Sequence, residues 1–310
     1  WGKACELPKQ HKVDVSLRGV EEEANACEAI KDTPIGSLEL DWVYGCRTEG
    51  LSGLIRYSQG HEILFNAGRY AVLQTVREWK KTKGREFEPG QRYFGDHLTE
   101  ICAMDLVETQ SGTIVATGDM GEFPTVHVWH MLSLRVECTI RYVHQLGIKK
   151  VKFSPAGHKL AILGADENQT ITVHDSANGD LQHRIAGGRP HVFDLCFSCI
   201  SEDCLLQIGM HHIIFHELSH GEDAISIEMA DLDYIPCQPF LACVWTSEGI
   251  IVSGWDGSLF DISSEKTSKS SMEDPRRHLR EVFKDAHDAP INTLRAVKTP
   301  RAQFNRVLSG

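Results

Sequence analysis

Five short apolar runs, each closing on glycine, recur along the chain at nearly even intervals. This periodicity limits the folds open to the chain more than any other feature. The runs cover residues 113–118, 159–164, 204–209, 250–254 and 306–310, and their glycines stand 46, 45, 45 and 56 residues apart. A period in the forties with four short strands per unit is the mark of β-propeller blades. The one long interval holds residues 263–274, a polar run of Ser, Lys, Glu and Thr that reads as an inserted loop.

Within each repeat, short stretches tend to alternate in polarity and are punctuated by turn residues. The first clear repeat predicts strands over 101–106, 113–118, 125–129 and 135–140. The second predicts them over 148–153, 159–164, 170–174 and 181–185, and the third over 192–197, 204–209, 212–216 and 224–228. The fourth predicts them over 240–246, 250–254, 258–262 and 279–283, and a fifth repeat opens at Pro290. Ser154-Pro155-Ala156-Gly157 and Trp255-Asp256-Gly257 supply tight turns between strands. The fold class expected is all-β, with about five blades of one propeller and no required helix.

The third strands end in Trp129-His130, His174-Asp175, His216-Glu217 and Phe260-Asp261, spaced by 45, 42 and 44 residues. A histidine precedes the first strand at His97, His144 and His287. This resembles a degenerate WD40 array, whose third strands usually end in Trp-Asp and whose first strands follow Gly-His. The resemblance gives Trp129, His174, Asp175, His216, Phe260 and Asp261 structural roles in a buried hydrogen-bond network that staples strands. Departures from the pattern leave some blades more dependent on apolar packing.

Upstream stands Leu38-Glu39-Leu40-Asp41-Trp42-Val43-Tyr44-Gly45-Cys46-Arg47. It resembles the HELP motif of echinoderm microtubule-associated protein-like proteins, with Asp41 in place of a glutamate and Cys46 where an aromatic is usual. The motif residues carried over are Leu40, Trp42, Val43, Tyr44, Gly45 and Arg47. Strand-like runs follow at 54–57, 62–67 and 70–76, and Gln91-Arg92-Tyr93-Phe94-Gly95-Asp96-His97 is similar to the family's approach to its first regular blade. The resemblance covers about residues 38–310. It divides the chain into a linker or extension over 1–37, the HELP motif with an atypical first blade over 38–96, and WD40 blades over 97–310. Residues 21–30 read equally as a short helix or as linker. The resemblance implies tandem propellers and binding to tubulin, microtubules or other axonemal proteins, placing the chain in the cytoplasm and cytoskeleton, with a cilium or flagellum axoneme as one setting. It implies no catalysis and no cofactor.

The formal net charge of -11 argues against nonspecific nucleic-acid binding, which rests on cations neutralising phosphates. No run approaches the length of apolar residues needed to span a membrane. The chain starts Trp1-Gly2-Lys3 and stops within a strand-like run, so it reads as an internal piece of a longer protein. Ten scattered cysteines, several inside apolar runs, fit reduced thiols in a cytosolic protein.

His216-Glu217-Leu218-Ser219-His220 matches H-E-x-x-H, the pattern of zinc hydrolases, which needs a helix to bring both histidines to one face. Here it follows a strand-like run, so a strand histidine is the plainer reading. Cys196-Phe197-Ser198-Cys199 is a lone C-x-x-C without a second pair, read as buried thiols. Three basic clusters interrupt the acidic total: Lys80, Lys81, Lys83 and Arg85; Lys149, Lys150 and Lys152; Arg276, Arg277, Arg280 and Lys284. Each is a solvated face or a steering patch for an acidic partner such as tubulin. The first is the partner-binding candidate, because it lies in an apparent insertion over 77–89. The 263–271 loop is a candidate for phosphorylation. An adaptor role in another complex, such as ciliary transport or ubiquitin ligation, is the rival binding function.

Overall fold

A strand whose two faces are both covered has no reason to alternate. The second strand of the second repeat, Lys159–Gly164, accordingly runs Leu160-Ala161-Ile162-Leu163 with all four side chains fully buried. Outer strands alternate instead: in Val136–Arg141, Cys138 and Ile140 are buried while Glu137 and Arg141 face solvent. This gradient from apolar to alternating is what radially stacked sheets require.

The computed structural model describes residues 40–46, 53–58, 60–76, 90–188, 191–218, 224–228, 232, 237–264, 277–297 and 306–310. The chain divides into two compact units, Trp1–Asp41 and Trp42–Gly310, and the second carries the fold. Its described residues form five four-stranded antiparallel sheets, each in sequence order, and a final two-stranded one. The first sheet is β1 (Ile55–Tyr57), β2 (Glu62–Ala67), β3 (Tyr70–Thr75) and β4 (Gln91–Phe94). The second is β5 (Ile101–Thr109), β6 (Gly112–Asp119), β7 (Thr125–His130) and β8 (Val136–Arg141). The third is β9 (Ile148–Phe153), β10 (Lys159–Gly164), β11 (Ile171–Asp175) and β12 (Leu181–Ile185). The fourth is β13 (Val192–Phe197), β14 (Cys204–Gly209), β15 (His212–Glu217) and β16 (Ile225–Glu228). The fifth is β17 (Phe240–Trp245), β18 (Ile250–Gly254), β19 (Leu259–Ser264) and β20 (Arg277–Phe283), and β21 (Leu294–Val297) pairs with β22 (Arg306–Ser309). No helix occurs among the described residues.

The sheets pack through their first strands. β5 lies against β9, β9 against β13, β13 against β17 and β17 against β21. Arg56 on β1 and Arg295 on β21 both reach Asp105 on β5, at 3.2 and 3.9 Å, so inner strands from first to last gather round one axis. Hydrophobic side chains form one layer per sheet–sheet interface. Leu64, Leu73, Phe94 and Trp129 fill the first, and Val128, Ile148, Leu160 and Ile162 the second. Leu163, Ile171, Leu195 and Leu205 fill the third, Leu206, Phe215, Phe240 and Phe260 the fourth, and Ala242, Val244 and Ile291 the fifth. Each blade is thus stable only between neighbours.

Backbone groups at the start of an inner strand are satisfied by the preceding sheet. Asn66 Nδ2 donates to Ile101 O at 2.8 Å, Gln169 Oε1 accepts Val192 N at 2.9 Å, and Ser253 Oγ donates to Ile291 O at 2.8 Å. The turn at Gly257 has φ +81°, and a Cβ there would lie 2.1 Å from His287 O, so only glycine lets this turn nest under the next connection.

Candidate interaction surface

Four-stranded antiparallel sheets place alternate connections at one end. In the second sheet, those at the β5 entry, the β6–β7 link and the β8–β9 link share an end, and a polar network fixes them. His97 Nδ1 lies 2.9 Å from Asp119 Oδ2, and its Nε2 lies 2.7 Å from Thr117 Oγ1. Trp129 Nε1 donates to the same Thr117 Oγ1 at 3.1 Å, and Thr125 N donates to Asp119 Oδ1 at 2.6 Å. With the His97 proton on Nδ1, every member is used once: indole to hydroxyl, hydroxyl to imidazole, imidazole to carboxylate. Phe94 from the first sheet stacks on Trp129 at 4.3 Å with the rings 4° from parallel.

The other sheets rebuild the network from different residues. In the third, Thr172 Oγ1 joins His144 Nε2 at 2.9 Å and His174 Nε2 at 3.0 Å, while His174 Nδ1 lies 2.9 Å from Gly179 O. Asp175 Oδ1 accepts Ala177 N at 2.9 Å and so holds the following turn. In the fourth, Gln207 is the hub: its Oε1 faces His216 Nε2 at 3.0 Å and its Nε2 donates to Gly187 O at 2.7 Å. In the fifth, Phe260 stands at the third-strand position, edge-on to Phe240 at 5.8 Å with Asp261 half-buried beside it, while Gln238 Nε2 donates to Asp256 Oδ2 at 3.1 Å at the loop end. The expected shift to apolar packing is thus partial in the fifth sheet, while Thr172 and Gln207 supply replacement polar groups in the third and fourth. In the last sheet His287 Nε2 meets Ser309 Oγ at 2.8 Å.

His216 sits on β15, and its Nδ1 is taken by Ser226 Oγ at 2.8 Å, so both ring nitrogens serve the sheet. Burial lowers its pKa to about 4. Glu217 ends the same strand, and His220 lies outside the described residues. No group of three or more His, Cys, Asp or Glu side chains suited to a metal occurs among the described residues. Cys199 is exposed while Cys196 is on β13, hydrogen-bonded with Cys243 of β17 rather than paired with Cys199.

The inner strands carry a second polar system. Burial alone would raise the Asp105 carboxyl, but Arg56, Lys152 and Arg295 hold it below the usual carboxylate range. Asp105 Oδ2 also accepts Phe153 N at 3.1 Å, and Asp194 Oδ2 accepts Cys243 N at 3.3 Å, so each carboxylate clasps the next inner strand. Lys152 lies 3.5 Å from Asp194 Oδ1. Burial pushes the Lys150 ammonium down, and Lys149 donates to Gln169 Oε1 at 3.0 Å. The cluster of lysines 149, 150 and 152 is thus engaged inside the sheets and is not a solvated strand face.

Of the segment resembling HELP, Val43 lies beside the outer strand of the first sheet. Val43 N donates to Gln91 Oε1 at 2.9 Å and Gln91 Nε2 donates to Val43 O at 3.1 Å, so one side chain mimics a strand partner. Trp42 is half-buried with Tyr44 at 6.2 Å, Tyr44 is exposed, Gly45 has φ +94°, and Leu40 is exposed. Arg47, Lys80, Lys81, Lys83, Arg85, Arg276 and the 263–271 loop's residues 265–271 lie outside the described residues.

At the loop end of the second and third sheets, five large apolar residues face solvent: Leu98 (87% exposed), Met120 (43%), Phe123 (70%), Tyr142 (80%) and Leu146 (64%). The connections that carry them are joined to one another. Phe123 and Tyr142 rings are 6.4 Å apart, Met120 bridges to Gly147, Gly121 N donates to Leu146 O at 3.4 Å, and Thr99, next to Leu98, donates its hydroxyl to Met120 O. Sequence reading did not find this patch, because its members come from three connections that only the strand order brings together.

No profile of a known protein family matches the chain. Echinoderm microtubule-associated protein-like 2 of Mus musculus is 23% identical over 283 residues, covering 86% of this chain and 39% of the relative, so the chain spans about two fifths of that protein's length. Among solved structures, Chaetomium thermophilum Sqt1 bound to the N-terminus of the ribosomal protein L10 superposes with a TM-score of 0.58 at 12% identity, covering 80% of this chain and 65% of that one. The β-propeller domain of Myceliophteria thermophila Cps50 (Swd1) gives a TM-score of 0.50 at 14% identity over 64% of this chain and 61% of that one. The fold is a WD40-type β-propeller.

Proposed function

We propose that this chain is a non-catalytic, microtubule-associated WD40 scaffold that contacts tubulin within a cytoskeletal assembly, an axoneme being one such lattice. The observation that carries this reading is the similarity over 283 residues to a protein named as microtubule-associated. The Trp42-Val43-Tyr44-Gly45 segment supports it as a HELP-type element held to the first sheet through Val43. An acidic chain meeting acidic tubulin is repelled on average, so contact has to run through local cations. Lys80, Lys81, Lys83 and Arg85 are the residues proposed for that contact.

Co-pelleting with taxol-stabilised microtubules tests this. The expected result is salt-sensitive pelleting that falls at least about tenfold in affinity when the four cations become glutamate, in line with the charge dependence of steered association. Retention in the supernatant at low salt contradicts direct lattice binding. The rival reading is an adaptor in a different complex, favoured by the likeness to Sqt1, whose solved structure holds the N-terminus of another protein. That reading gains if pelleting fails.

A further inference from the structure

We infer that the loop end of the second and third sheets is a docking site for a basic protein segment bearing apolar side chains. This goes beyond the tubulin reading and does not rest on it. Leu98, Met120, Phe123, Tyr142 and Leu146 together expose on the order of 600–700 Å² of residue surface, close to one side of a standard interface.

The backbone displays two of these side chains at a cost. Tyr142 and Leu146 have φ of +62° and +69°, in the left-handed region that bulky residues avoid. Tyr142 opens the connection directly after β8, and Leu146 closes it before Gly147. Folding gains nothing from holding these two side chains outward, whereas a partner would cover them.

The rim selects the partner's charge. Four of the five connections at this end, residues 95–100, 119–124, 141–147 and 165–169, contain six carboxylates: Asp96, Glu100, Asp119, Glu122, Asp166 and Glu167. They contain one cation, Arg141; Arg184 of β12 reaches in to donate to Val143 O at 2.9 Å, and the fifth connection, 186–191, adds Arg189, so carboxylates still outnumber cations at this end. Lys149, just beyond, is tied to Gln169. Asp119 and Asp166 are engaged in the loops, while Asp96 and Glu122 are exposed beside the apolar residues. An anionic lipid surface and a second copy of this acidic face would both be repelled. A segment with lysines or arginines flanking apolar side chains matches both the patch and its rim.

Fluorescence anisotropy on the full chain tests this, with a labelled amphipathic helical peptide of lysine, leucine and tryptophan as probe and its glutamate-for-lysine counterpart as control. Two double variants are compared, Phe123→Ser with Tyr142→Ser, and Asp96→Lys with Glu122→Lys. All four positions are exposed, and an unchanged urea midpoint confirms that folding is intact. The expected result is binding of the basic peptide, weakened at least tenfold by either double variant, with no binding of the acidic control. Equal affinity for both peptides, or affinity untouched by Phe123→Ser with Tyr142→Ser, overturns the inference. So does sedimentation showing a dimer of the wild type that this same variant dissolves, which would make the occupant a second copy.

Discussion

Replacing Thr117 by valine removes one buried hydroxyl while keeping the shape of the side chain, and the second sheet's network makes the consequence calculable. Thr117 Oγ1 is the acceptor for Trp129 Nε1 at 3.1 Å and the partner of His97 Nε2 at 2.7 Å, with all three residues buried. Thr117→Val strands both. Each buried polar group left without a partner costs roughly 1–3 kcal/mol, so the loss for the two is about 2–6 kcal/mol, or on the order of 4–12 °C in Tm for a unit of this size. Thr117→Ser keeps the hydroxyl and loses only a methyl, costing about 1 kcal/mol. In a Trp129→Phe background the valine strands His97 alone, so its cost falls by about 1 kcal/mol or more, a coupling that a double-mutant cycle reads directly. Urea unfolding followed by tryptophan fluorescence and by far-UV circular dichroism supplies these values. If Thr117→Val sits within about 0.5 kcal/mol of wild type at unchanged m-value, the hydroxyl is not holding the two rings and the reasoning fails.

Burial holds His127, His144 and His216 at pKa values of about 4, below their ordinary 6.5. The unfolded chain binds protons that the fold refuses as pH drops below 6.5. Stability is therefore full above that value and is lost progressively down to about 4, by roughly 2 kcal/mol per histidine at pH 5; an equal urea midpoint at pH 7.5 and pH 5 contradicts this. Gly257→Ala forces a Cβ to within 2.1 Å of His287 O at a positive φ, so a loss of at least about 2 kcal/mol is expected in thermal melts, and a neutral effect would show that the turn relaxes freely. Burial raises the Cys102 and Cys138 thiols to about 12 and about 11 while Cys199 and Cys237 are exposed; native alkylation at pH 8, mapped by mass spectrometry, should mark the exposed pair well before the buried one. Since His216 spends both ring nitrogens on Gln207 and Ser226, elemental analysis of purified protein should find no stoichiometric zinc at this motif, and zinc lost on His216→Gln would reverse that expectation.

The blades were legible because strand boundaries are set locally. β2, β9, β10, β12, β13, β14 and β18 fall on the bounds that polarity and turn residues predict. β4 escaped as a strand because Gln91-Arg92-Tyr93-Phe94 neither alternates cleanly nor is flanked by a turn signal; its pairing with β3 and the bond from Gln91 to Val43 define it. The polar networks were only half legible. Histidines at fixed offsets announce themselves, but Thr172 and Gln207 act through cross-strand register, which no spacing rule reports. The charges of the inner strands were misleading in sequence: Lys149, Lys150 and Lys152 read as a basic face, and only their neighbours Asp194, Asp105 and Gln169, brought in from other strands and turns, explain them. The patch around Phe123 and Tyr142 depends on three connections meeting at one end, a property of topology and not of any local run.

The account stands on inner strands that are buried once per repeat and clasped to their neighbours. Amide hydrogen exchange with peptide-level mass spectrometry tests that directly. The account predicts protection maxima recurring at β5, β9, β13 and β17, with fast exchange at the fully exposed outer strand β16. Protection that is even along the chain, or greatest in β16, would contradict it.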